Sequence, residues 1–160
     1  MTNQLLIVLL IAASVGAGLV GGLFFVFSNT IMSAFDRLPN GGGVPAMQRI
    51  NEVLLNPLFF FAFFGTGVLS IVLLMIYVAH LDEPGAVLAA LAAVIYVAGS
   101  IGVTMVCNVP LNNRLAAVPA TAKDLTAHWQ AYREPWTRWN HVRTIACLLA
   151  AALFAIAAGC

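Results

Sequence analysis

Seven Lys or Arg and six Asp or Glu are spread very unevenly over the 160 residues. Four stretches carry none of them: Met1 to Phe35, Val53 to Leu81, Pro84 to Asn113 and Thr144 to Cys160. An α-helix rises about 1.5 Å per residue and a bilayer's hydrocarbon core is about 30 Å thick, so roughly 20 residues cross it. Each stretch reaches or nearly reaches that length, and spans are expected at residues 5–28, 57–79, 85–107 and 142–159. The chain is 62% hydrophobic and 8% charged, too little charge to cover a water-soluble fold of this size. A net charge of +1 and only three cysteines exclude a nucleic-acid binder, a disordered chain and a secreted disulfide scaffold. The expected fold class is all-α: a single transmembrane domain over residues 1–160, built as an integral membrane four-helix bundle, with a structured long loop containing short helices between helices 3 and 4.

The first apolar stretch has no basic region before it and outruns the 7–15-residue apolar core of a signal peptide, so it is expected to remain as a helix. Its small residues form two ladders, Ser14, Gly18, Gly22 and Ala13, Ala17, Gly21, which let neighbouring helices approach closely in lipid. Gly65 with Gly67, and Ala98, Gly99 and Gly102, repeat the device less strictly.

The connections differ in character. His80 to Pro84 is a tight turn with Asp82 and Glu83, whereas Ala34 to Asn56 and Asn108 to His141 are long, and every Lys and Arg lies in or beside these two. The positive-inside rule then places the long loops in the cytoplasm and both termini outside, in an inner or plasma membrane. Thr121 with Asp124 resembles an N-terminal helix cap, and Glu134-Pro135 reads as a stop and restart, with helix 4 starting near Pro135. A second short helix is expected from Pro45 to Leu54, after the flexible Asn40-Gly-Gly-Gly43 turn.

Amides and aromatics crowd the span ends on the long-loop side: Asn29, Asn51, Asn56, Asn108, Asn112, Asn113 and Asn140, with Trp129, Tyr132, Trp136 and Trp139. Asn is a poor helix former and costly in lipid unless its amide is paired, so a shared polar pocket under the two long loops is expected. At 100° per residue from Trp136, Asn140 lies at about 40°, Arg143 at about −20° and Cys147 at about 20°, all on one face, whereas His141 falls near 140°. An Arg just inside the membrane boundary usually turns toward the bundle and serves function. Against this, Trp and Tyr favour interfaces anyway, an Arg near a helix end can snorkel, and Asn29 and Asn56 fit equally as helix caps. His80, His128 and His141 lack metal-ligand spacing, and no Cys-x-x-Cys occurs, so Cys107, Cys147 and Cys160 read as small hydrophobes and no metal site is expected.

Asn108-Val-Pro-Leu-Asn-Asn113, then Trp129 and Tyr132, then Trp136-Thr-Arg-Trp-Asn-His-Val-Arg143 resemble the signature of the anthrone-oxygenase-like family of four-helix membrane proteins. Phe27-Ser-Asn29, Met32 and Met47-Gln-Arg-Ile-Asn51 agree with it, so the resemblance spans nearly the whole chain. It implies oxidation of a flat lipophilic anthrone-, phenol- or quinone-like substrate by molecular oxygen as co-substrate, with no cofactor. An anthrone methylene loses a proton to give a delocalised anion that reacts with oxygen, so the protein needs a base, donors for the oxyanion and a dry aromatic cavity. The candidate catalytic residues are His141 as base, because an imidazole titrates near neutrality, with Arg143 and Asn140. Candidate substrate-binding residues are Trp129, Trp136, Asn29, Asn51, Asn108, Asn112, Asn113 and Arg133. The alternative is a non-catalytic bundle that binds a lipid, a quinone or a partner subunit. The expected partners are the bilayer and a lipophilic small molecule, a homo-oligomer stays open, and no nucleic acid is expected.

Overall fold

A computed structural model describes residues 3–160, and among these no strand occurs. Five helices follow in order: α1 (Gln4–Asp36), α2 (Gly43–Leu54), α3 (Pro57–Val78), α4 (Ala86–Ala116) and α5 (Leu125–Ala158). All but α2 are long and apolar enough to cross a membrane. Three of them reach well past the expected spans at the long-loop end, α1 to Asp36, α4 to Ala116 and α5 back to Leu125, whereas α3 starts at Pro57 as expected. At about 1.5 Å per residue, the 34 residues of α5 are far longer than the hydrocarbon core is thick, so its first turns stand clear of it.

The bundle interior is built from small residues. Ala13 and Ala17 of α1, Ala89, Ala92 and Ala93 of α4 and Ala150 of α5 are fully buried. Ser14 Oγ donates to the Ala151 carbonyl at 2.8 Å. A Cβ on Gly99 would lie 2.5 Å from the Ala146 Cβ, so α4 and α5 touch through backbone there. The two ladders of α1 divide the work unequally. A Cβ on Gly21 would meet Cys147 Cβ at 3.0 Å, whereas one on Gly22 would meet nothing within 4 Å. Large apolar side chains, among them Val15, Leu19, Val68, Met75, Val106 and Ile145, are exposed on the outside, where lipid is their natural solvent.

At the long-loop end the walls loosen. Phe27–Ile31, Phe61–Gly65, Val97–Gly102 and Thr104–Asn108 are π-helical, wide turns that frequently accompany functional sites. Thr66 and Thr104 donate back to the carbonyls of Ala62 and Ser100, each at 2.7 Å, at two of them. A second core, separate from that of the bundle, joins Phe27, Met32, Val44, Met47, Leu115, Trp129, Tyr132 and Trp136. It holds α2 beneath the start of α5. Asn40 at φ 55° and Gly41 at φ 68° turn the chain into α2. Gly43 lies so close to the Trp129 indole that a Cβ would come 2.6 Å from its ring atoms.

Two local expectations are corrected. Thr121 does not start a helix: the α5 N-cap is Asp124, whose carboxylate accepts from Ala127 N at 2.8 Å. Nor does Pro135 mark a restart, because α5 runs through it unbroken. A proline inside a helix costs about 3 kcal/mol, but Trp129, Tyr132 and Trp136 on either side of it are each 5% exposed or less. Burying three such rings in register outweighs the lost backbone bond. α2 runs from Gly43 to Leu54, two residues longer at its start than expected.

Candidate functional site

The long-loop end encloses a cavity of about 450 Å³ bounded by all five helices. Its walls are apolar and aromatic, with Phe24, Phe27, Phe59, Met47 and Trp136 among them. Its polar lining comes from Gln48, Asn51, Glu52, Thr104, Asn112, Asn113 and Arg143.

Helical phase sets up the α5 side of this site. Trp136, Asn140, Arg143 and Cys147 share the face expected from their spacing, and all are buried, Arg143 at 5% exposure. The Arg143 guanidinium is held by neutral partners. Nη2 donates to Asn140 Oδ1 at 2.5 Å and Nη1 to Thr104 Oγ1 at 3.1 Å. Its carbon lies 4.1 Å from the Phe24 ring centre and 5.3 Å from that of Trp136, both within cation–π range. Nε has no partner, and no carboxylate pairs with the side chain among the described residues. Asn140 fixes the arrangement from behind, donating to the Phe24 carbonyl at 2.7 Å and to Ser28 Oγ at 2.5 Å.

Asn112 anchors the opposite wall. Its Oδ1 accepts from Trp136 Nε1 at 2.8 Å and from Tyr132 Oη at 2.9 Å. Asn108, fully buried, donates to the Trp136 carbonyl at 3.2 Å, and its own Oδ1 is unpartnered. Trp136 is thereby held at both backbone and indole.

Several expected site residues lie elsewhere. His141 is exposed and lines a separate shallow cleft with Ser28, Arg133, Thr137 and Arg138, as its angle on α5 implied. Asn29 is exposed, and its amide reaches only Thr30. Trp129 and Arg133 both bind Asp36, at 3.1 Å and 2.6 Å, with Gln130 on the same carboxylate at 3.0 Å. That cluster ties the end of α1 to α5 rather than lining the cavity. Asn51 and Asn113 do line it, while Asn56 caps α3 by accepting from Phe59 N at 3.0 Å.

Sequence reasoning missed Phe24, Phe59, Thr104, Gln48 and Glu52. Thr104 was visible as a hydroxyl close to Asn108, but nothing in sequence marks Glu52 as nearer the cavity than the other acidic residues. Among the described residues no three His, Cys, Asp or Glu come together as a metal-binding group.

A family model described as anthrone oxygenase matches residues 59–153 of the chain. No curated protein and no solved structure gives a match.

Proposed function

The chain belongs to the anthrone oxygenase family, and from that premise we propose that its 450 Å³ cavity takes a flat, lipophilic, phenol- or anthrone-like molecule and oxidises it with molecular oxygen, without a resident cofactor. One observation carries this reading. Arg143 is a buried cation with no carboxylate partner among the described residues and an unpartnered Nε, beside an aromatic-lined cavity. A buried charge is costly unless paired, and a substrate oxyanion supplies the missing pair.

In this mechanism Phe24, Phe27 and Trp136 flank the rings while Arg143 faces the carbonyl or phenol oxygen. Loss of a methylene proton sends charge onto that oxygen, where a preorganised donor acts most strongly. Asn140 and Thr104 hold the guanidinium in place. Among the described residues Glu52 is the one carboxylate on the cavity lining; it sits at the exposed rim, paired with Arg49 at 2.6 Å, and it leaves that pair to accept the proton in place of His141. Overall the methylene's two C–H bonds are replaced by a C=O; one oxygen atom of O₂ enters the product and the other leaves as water.

The gathering of all seven basic residues at this end supports a cytoplasmic orientation for the cavity in an inner or plasma membrane. The test is oxygen uptake and anthraquinone formation from anthrone by protein in lipid nanodiscs, corrected for autoxidation. A rate no higher than that of empty nanodiscs overturns the enzymatic reading and leaves a binding protein.

A further inference from the structure

A second cavity lies at the opposite end of the bundle, and it differs from the first in chemistry. It measures about 670 Å³ between the outer ends of α1, α3 and α5 and the turn that joins α3 to α4, and is open toward the lipid at Val72 and Met75. Leu6, Leu10, Val72, Met75 and Ile76 supply an apolar body. Its polar groups gather at the turn: Tyr77, His80 and Glu83, with Cys160 also on the lining.

These groups have a common bias. His80 Nδ1 lies 2.9 Å from the Ile76 carbonyl. A carbonyl only accepts, so Nδ1 carries the hydrogen, and in the neutral ring Nε2 is left as an acceptor. Glu83 has no ion-pair partner among the described residues, and its ionised carboxylate also only accepts. Tyr77 is 7% exposed, yet its hydroxyl makes no hydrogen bond among the described residues. No Lys or Arg occurs anywhere on this side of the chain, so an anionic phospholipid headgroup would meet Asp82 and Glu83 and no Lys or Arg side chain.

We propose that this cavity is a binding site for a lipophilic diphenol. Its two hydroxyls donate to His80 Nε2 and the Glu83 carboxylate, Tyr77 completes the hydrogen bonding, and the ring and alkyl substituent fill the apolar body. The site is remote from the Arg143 cavity and does not depend on the oxidation proposed there.

Cys160 is exposed on the cavity lining while Cys147 is buried, so alkylation of Cys160, read by peptide mass spectrometry, reports occupancy directly. Full-length protein in phosphatidylcholine nanodiscs is labelled with increasing heptylresorcinol, a diphenol that does not oxidise to a quinone. Saturable slowing of Cys160 labelling is expected, with no slowing by its dimethyl ether, which has the same shape and no donors. Tyr77→Phe and His80→Ala should each raise the half-protecting concentration about five-fold, the loss of one hydrogen bond. Equal protection by the ether, or unchanged protection in both variants, would overturn the proposal in favour of a nonspecific lipid groove. Absence of protection by either compound overturns it outright.

Discussion

Arg143 and Asn140 lie one helical turn apart on α5, and the guanidinium donates to the amide oxygen at 2.5 Å while the amide nitrogen bonds the Phe24 carbonyl at 2.7 Å. Asn140 thus links the buried cation to α1. The two residues contribute differently, and substitution should separate them. Arg143→Met removes a desolvated charge but leaves the buried Asn140 Oδ1 without its donor, a loss of about 1–3 kcal/mol that offsets the gain. Arg143→Met should therefore melt close to the parent temperature while losing anthrone oxidation. Asn140→Ala leaves Arg143 with one fewer partner and should lower stability by roughly 1–3 kcal/mol. Melting curves and turnover measured on the same preparations check both. Full turnover in Arg143→Met would remove Arg143 from the mechanism.

The wall carried by Asn112 makes a sharper stability prediction. Its Oδ1 is the acceptor for both Trp136 Nε1 and Tyr132 Oη. Asn112→Leu strands two donors, each worth about 1–3 kcal/mol when left unmade, whereas Asn112→Asp keeps the acceptor. Denaturation should show a clear loss for Leu and a much smaller one for Asp.

Much of this was legible in the sequence, for reasons that also explain the remainder. Charge-free stretches mark spans because a charge in hydrocarbon is expensive, so the four membrane-length helices could be placed. Helical phase depends only on spacing, which is why Trp136, Asn140, Arg143 and Cys147 were grouped and His141 set apart. The reach of α5 across Pro135 was not legible, because the packing of Trp129, Tyr132 and Trp136 overrides a local backbone preference. The docking of Trp129 and Arg133 on Asp36 joins residues more than 90 apart in sequence, and no local pattern announces it. Glu52 was missed for the same reason: its place at the cavity rim depends on how α2 docks, through the second core, against α4 and α5.

Close helix approach predicts unequal tolerance among glycines. A Cβ at Gly99 would sit 2.5 Å from the Ala146 Cβ, while one at Gly22 meets nothing within 4 Å. Overpacking a tight contact costs about 1–3 kcal/mol, so Gly99→Ala should destabilise by that amount. Gly22→Ala should be neutral or slightly stabilising, since alanine is the better helix former. Thermal melts of the pair in one lipid decide it. Equal losses would mean that helix-interior glycine, rather than the α4–α5 contact, sets the cost.

The assignment of the proton acceptor is tested by comparing Glu52→Gln with His141→Ala. Glu52 lines the cavity with Arg143, whereas His141 faces a separate cleft. A positioned general base contributes about 10²–10⁴ in rate, so Glu52→Gln should lower kcat at least 100-fold with little change in KM, because glutamine retains the size and polarity that substrate binding meets. His141→Ala should stay within about two-fold of the parent, since its imidazole lies outside the reaction path. Substrate deuterated at the methylene gives an independent readout: if carbon deprotonation limits the Gln variant, its isotope effect on kcat should exceed the parent's. The reverse pattern, with His141→Ala inactive and Glu52→Gln unimpaired, would return the base to His141 and require α5 to rotate in the substrate complex.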